Sequence, residues 1–213
     1  MVNAILEGRK TQTRRVVSLP AWVHASDDGD DLSGESPMAC HRDTGCLASI
    51  NCPYGTAGDR LWVRESWLQL RCNHRHDATK PNDWLVPWGD KPRRNGCAYK
   101  ADATSESERC RLELGYKNWT PSIHMPRWAS RITLEVTNVR VERLREITEA
   151  DSQAEGVEMC EHFAKAQHGH PLQPHRTAFA WLWASIHGRD SWCANPWVWV
   201  VEFKRVDETI GTV

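Results

Sequence analysis

The segment Gly8-Arg9-Lys10-Thr11-Gln12-Thr13-Arg14-Arg15 sets one lysine, two threonines and three arginines in eight consecutive positions. Two chemistries suit those types. Lys10 and Thr13 form a candidate base and nucleophile, because a threonine hydroxyl is weak alone and needs a neighbour to take its proton. A lysine does so only when desolvation or nearby cations depress its ammonium pKa, about 10.4 when unperturbed. Arg9, Arg14 and Arg15 supply cations in sequence, and they are equally suited to holding an oxyanion or a phosphate. In a fully extended segment Lys10 and Thr13 face opposite sides, so their convergence into one wall of a polar pocket requires a bent loop. Without that bend, the segment reads as a solvated basic stretch beyond a helix end, where cations suit the helix dipole.

Flanking elements must deliver this segment. Val2, Ile5 and Leu6 follow helical spacing, and Gly8 stands where a left-handed cap would stop the helix. Val16 and Val17 favour an extended exit that ends near Pro20. Residues 22–57 hold no sustained period and read as an irregular excursion. Turn signals at Gly55 and Gly58 precede a strand through Leu61 and Val63, with Trp62 on its other face. Residues 69–118 form a second polar insertion with a brief strand over Tyr99 to Ala101. Ile132, Leu134 and Val136 alternate; the alternation restarts at Val139 and Val141 one residue out of phase, which predicts a bulge or bend.

Thr148 with Asp151 forms a shortened capping box that opens a helix, and Gly156 ends it. Phe179, Leu182, Trp183 and Ile186 mark one face of a helix closed by Gly188. Trp197 to Phe203 is almost continuously apolar and belongs at the centre of a sheet. The sum is a single α+β domain with short helices, two polar insertions and strands suited to a small barrel.

Composition narrows the function classes. The chain has 213 residues, and 27 basic against 28 acidic residues give a net charge of −1, which excludes bulk attraction to polyanions or anionic membranes. No run approaches a membrane span and no leader-like apolar stretch follows the first residues, so the 8 cysteines point to a reduced, cytoplasmic chain. Cys40, His41, Cys46, Cys52, Cys72, His74 and His76 are zinc-compatible types without familiar finger spacing, and no metal or cofactor is expected. The 12 tryptophans are core fillers first and base-stacking surfaces second. Trp62, with His124 and Arg127 from the run Ile123-His124-Met125-Pro126-Arg127-Trp128, is a candidate for the mouth of a ligand pocket.

The signature segment resembles that of ASCH domains, small barrels related to the PUA fold of RNA-binding modules. Gly58-Asp59-Arg60-Leu61-Trp62-Val63, Ile147-Thr148-Glu149-Ala150 through Glu155-Gly156, and Val200-Val201-Glu202-Phe203-Lys204 follow in the family's order. The whole is similar to ASCH-like proteins of phages and prophages. The resemblance implies a PUA-like barrel, although family members carry a strand upstream of the first helix that this sequence starts without. It also implies a nucleoside or nucleotide ligand. The family includes a bacterial N4-acetylcytidine amidohydrolase whose lysine, threonine and glutamate correspond to Lys10, Thr13 and Glu155, with Arg15 matching an arginine of the signature. Glu155 would orient the lysine or carry a proton to the leaving nitrogen. A non-catalytic RNA- or DNA-binding module, with Arg9, Lys10, Arg14 and Arg15 on phosphates, and a ribonuclease are the alternatives. The oligomeric state is open.

Overall fold

A computed structural model describes residues 1–18, 32, 37–40, 47–69, 97–105, 108, 111–112, 115, 118–159 and 173–206. In chain order the elements are α1 (Val2–Leu6), β1 (Gln12–Val16), β2 (Met38–Cys40), β3 (Leu47–Ser49), β4 (Arg60–Trp62), β5 (Trp67–Gln69), β6 (Cys97–Tyr99), β7 (Thr133–Arg143), α2 (Glu149–Ala154), α3 (Pro174–His187) and β8 (Trp197–Val206). The fold is α+β. Contacts group the chain into two compact units, Asn3–Leu61 with Leu134–Val206, and Trp62–Thr133.

The first unit is built on a curled four-stranded sheet in the order β1-β8-β7-β4. The apolar strand β8 is central as its composition requires, and β1 pairs antiparallel along it from Gln12↔Glu202 to Val16↔Val198. Period-2 alternation then sorts β8 onto two cores. Trp199 and Val201 join Val17, Leu32, Ile50, Val136 and Val141 on one face. Val198 and Val200 join Leu144, Ile147, Phe179 and Trp183 on the other. Val136, Val139 and Val141 all reach the first cluster although Val136 and Val139 are an odd number of residues apart. The predicted phase slip is therefore accommodated within one continuous strand, β7.

Helix α3 closes at Gly188 as expected, but its buried face is narrower than its apolar spacing implies. Phe179 and Trp183 are buried, whereas Leu182 and Ile186 are 37% and 59% exposed. β2 and β3 form a two-stranded hairpin within the first excursion.

In the second unit, β5 pairs with β6 in the register Trp67↔Tyr99, over a small core of Trp67, Cys97, Tyr99, Met125 and Ala129. The strand expected over Tyr99–Ala101 instead spans Cys97–Tyr99, and a short 3-10 turn, Lys100–Asp102, takes the residues that follow. Arg131 grips both oxygens of Glu65 at 2.9 Å and lies 4.0 Å over the Tyr99 ring. Among the described residues no helix is long and apolar enough to cross a membrane. Cys46, Cys72, His41, His74 and His76 lie outside the described residues.

Candidate functional site

The backbone clamps the signature segment on three sides. Helix α1 ends at Gly8, whose φ of 76° is the left-handed conformation glycine adopts without penalty. The Lys10 N–H then donates to Ala4 O at 2.9 Å, the Thr11 N–H donates to Ala154 O at 2.8 Å, and Thr11 O accepts from Phe203 N–H at 2.8 Å. Lys10 and Glu155 form an isolated antiparallel bridge.

The capping box places Glu155. Thr148 Oγ1 accepts from Asp151 N–H at 3.1 Å, and Asp151 Oδ2 accepts from Thr148 N–H at 3.1 Å. The short helix it starts is capped by Glu155 and turned by Gly156 at φ 76°. A Cβ on Gly156 would stand 2.7 Å from Lys10 Cβ and 3.0 Å from Ala4 Cβ. The absence of a side chain there is what allows α2 to end against Lys10 and α1.

Lys10 and Glu155 meet in the interior, with side chains 3% and 5% exposed. Lys10 Nζ donates to Glu155 Oε2, Glu155 O and Gln12 O, each at 2.8 Å. An ammonium has three donors, so all three are used. Burial lowers the Lys10 pKa; Glu155 opposes that, and the charges of Arg15 and Arg14 add to it.

Arg14 reaches the same carboxylate from the strand. Its Nη1 donates to Glu155 Oε1 at 3.4 Å and its Nη2 to Glu142 Oε2 at 3.1 Å, with Asp151 Oδ2 at 3.6 Å. The Arg14 side chain has no exposed surface, and its Nε has no hydrogen-bond partner among the described residues. Gln12 Nε2 donates to Asp151 O at 2.8 Å. Arg140 continues the network by donating to Glu142 and Glu202. Burial raises the Asp151 pKa, but hydrogen bonds from the Thr148 side chain and backbone, with the Arg14 charge, bring it below the ordinary carboxylate value.

Thr13 takes the other face. Gln12 and Arg14 are buried on the cluster side, and Thr13 lies between them in a regular strand, opposite Val201. The bent loop expected between Lys10 and Thr13 is replaced by an extended segment, because five paired positions along β8 satisfy the backbone of β1. The structure therefore brings Lys10, Arg14 and Glu155 together and sets Thr13 and Arg15 across the strand from them.

The remaining candidates are dispersed. Arg9 is exposed and pairs with Glu7 at 2.6 Å and Glu158 at 3.1 Å. Arg15, also exposed, pairs in register with Trp199. Trp62, His124 and Arg127 belong to the second unit. There the Trp62 ring lies 4.7 Å from the Arg64 guanidinium and 6.0 Å from that of Arg127, and His124 is exposed at the end of a 3-10 turn. A cleft of about 430 Å³ in the first unit is lined by Val16, Ser18, Ser49, Ile50, Asn51, Pro53, Tyr54 and Trp199. Lys10, Thr13 and Glu155 are not among its walls.

Asp151, Glu142, Arg140 and Glu202 complete the network without having been candidates. Two of them left a trace: Asp151 in its capping box, and Glu202 as the one charge interrupting the apolar run from Trp197 to Phe203. Comparison with protein-family models, with curated proteins and with solved structures finds no match to this chain.

Proposed function

We propose that the chain is an ASCH-like protein of PUA-like barrel architecture, and that the Lys10–Arg14–Glu155 cluster is the proton-handling part of a nucleoside site acting on N4-acylated cytidine. One observation carries the reading. Lys10 and Glu155, 145 residues apart in sequence, form a buried pair at 2.8 Å, and Arg14 holds the second oxygen of the same carboxylate. A buried ion network adds little net stability over apolar packing, so stability is a poor reason for it. A buried lysine with a lowered pKa held against a carboxylate is instead a mark of functional sites.

In the proposed reaction the Thr13 hydroxyl attacks the acyl carbonyl carbon and loses its proton, the C–N bond breaks, and the N4 nitrogen gains a proton and leaves as cytidine. Water then hydrolyses the acyl-threonine ester, releasing the carboxylic acid and restoring the hydroxyl. Desolvation lets Lys10 give up its proton at a lower pH than an exposed lysine, so that the neutral amine able to accept one is accessible, and Glu155 is its immediate relay. Thr13 enters as the nucleophile on the family resemblance. Its position across β1 from Lys10 makes Thr13→Ala the variant that decides whether that assignment holds.

The test is incubation of the purified protein with N4-acetylcytidine while release of cytidine is followed. Absence of turnover, or full turnover in Lys10→Ala, overturns the reading. A module gripping phosphates through this segment is less well supported, because Lys10 and Arg14 are buried against carboxylates and Arg9 is paired with two more. That alternative predicts nucleic-acid binding that falls steeply with salt.

A further inference from the structure

Glu155 has two oxygens and two cationic claimants. Oε2 accepts from Lys10 Nζ at 2.8 Å, and Oε1 accepts from Arg14 Nη1 at 3.4 Å. The far end of the same guanidinium is held by Glu142 of β7 at 3.1 Å and lies 3.6 Å from Asp151 of α2. Arg14 thus ties the carboxylate at the end of α2 to the central sheet. It does so while fully buried and with Nε left without an acceptor among the described residues. A buried orphan donor is a cost the fold would avoid if simple packing were all that the position required. A planar fork spans two carboxylates set apart from each other with fixed geometry; the compact ammonium of a lysine does not span them.

We propose that Arg14 is a positioning residue of the site, holding Glu155 by Oε1 so that Oε2 alone is presented to Lys10. The proposal rests on the reading that Lys10 and Glu155 handle the proton of hydrolysis. Its consequence is that the ammonium shares its counter-ion and gives up a proton more readily than it would with Glu155 to itself. The charged groups around Lys10 are Glu155 at the end of α2 and Arg14 and Arg15 on β1. Beyond Arg14 lie Asp151 of α2 and Glu142 and Arg140 of β7, and Glu202 of β8 closes the network through Arg140.

Two variants separate charge from geometry: Arg14→Met removes the charge and keeps the bulk, and Arg14→Lys keeps the charge and loses the fork. The Lys10 side chain is titrated by NMR in protein carrying 13C-labelled lysine, its signal identified by loss in Lys10→Met, and cytidine release is measured across pH. Arg14→Met is expected to raise the Lys10 midpoint by about one pH unit, a tenfold gain in proton affinity, and to move the rising limb of the rate profile with it. Arg14→Lys is expected to keep the midpoint near the parent's and still lose rate.

An unmoved midpoint in folded Arg14→Met, or a parent-like rate in Arg14→Lys, overturns the proposal. Should Arg14→Met fail to fold, Arg14→Lys decides by the same criterion. If the parent protein does not turn over N4-acetylcytidine, the functional reading falls, and the midpoint of Lys10 in the two variants, read beside the Thr148–Asp151 cap signals, still decides whether Arg14 divides the carboxylate.

Discussion

Glu155 Oε2 lies 2.8 Å from Lys10 Nζ, with both side chains all but sealed from solvent. Because neither charge can recover its hydration, removing Glu155 strands Lys10, and removing Lys10 leaves the buried carboxylate to Arg14 alone. Lys10→Met and Glu155→Gln are each expected to cost about 3–5 kcal/mol in urea unfolding. The double variant Lys10→Met/Glu155→Gln should lose distinctly less than the sum, by about 0.5–3 kcal/mol. Strict additivity would mean that the pair is not coupled in solution.

The pH dependence of stability carries the sign of the Lys10 shift. Folding lowers the Lys10 pKa from 10.5, so between the folded value and 10.5 the unfolded chain binds more protons and stability rises with pH. Below the folded value the penalty for the buried charge is present in full. Asp151 acts at the acid end: its folded pKa is below 3.8, so its contribution is complete above 3.8 and is lost as pH falls through the folded value. Chemical unfolding across pH should show the alkaline rise vanish in Lys10→Met and the acid loss shrink in Asp151→Asn.

The local boundaries of the site were legible in sequence because each has a local cause. Gly8 and Gly156 stop helices by adopting positive φ, the Thr148–Asp151 box closes on itself, and the apolar run of β8 could only sit in mid-sheet. The interior network was not legible, since the order β1-β8-β7 decides which charges meet, and strand order is a long-range property. Arg14 read as a cation for an oxyanion or a phosphate, and it is fully buried against carboxylates of the protein itself. Thr13 read as a partner of Lys10, and the same strand alternation that buries Gln12 and Arg14 turns it away.

Rates with N4-acetylcytidine separate the three residues carried by resemblance. Lys10→Ala and Glu155→Gln are each expected to lose about 100- to 10,000-fold in kcat, the usual worth of a positioned acid or base. Thr13→Ala should match them if its hydroxyl is the nucleophile. A Thr13→Ala rate near the parent's would assign the attack to water on the Lys10 face of β1.

The faces of α3 give a prediction that does not depend on function. Trp183 is 4% exposed and packs on Phe179, so Trp183→Ala should cost about 3–5 kcal/mol. Ile186→Ala, at a position 59% exposed, should stay within about 0.5 kcal/mol. Equal losses would mean that Ile186 is covered in solution by something beyond the described residues.

Gly8 and Gly156 share a φ of 76°, which makes them a matched pair. A Cβ at Gly8 meets nothing within 4 Å, so Gly8→Ala pays only the left-handed backbone strain, about 1–2 kcal/mol. A Cβ at Gly156 meets Lys10 Cβ at 2.7 Å and Ala4 Cβ at 3.0 Å. Neither atom can swing aside, because both sit at the root of their side chains and the Lys10 backbone is tied to Ala4 O. Gly156→Ala must therefore push α2 away from α1 and lengthen the Lys10–Glu155 contact, at an added cost of about 1–3 kcal/mol. Thermal unfolding should show the larger drop for Gly156→Ala, and cytidine release should fall in that variant while Gly8→Ala keeps the parent rate. Equal losses in the two variants would mean that α2 does not depend on this close approach to hold Glu155 in place.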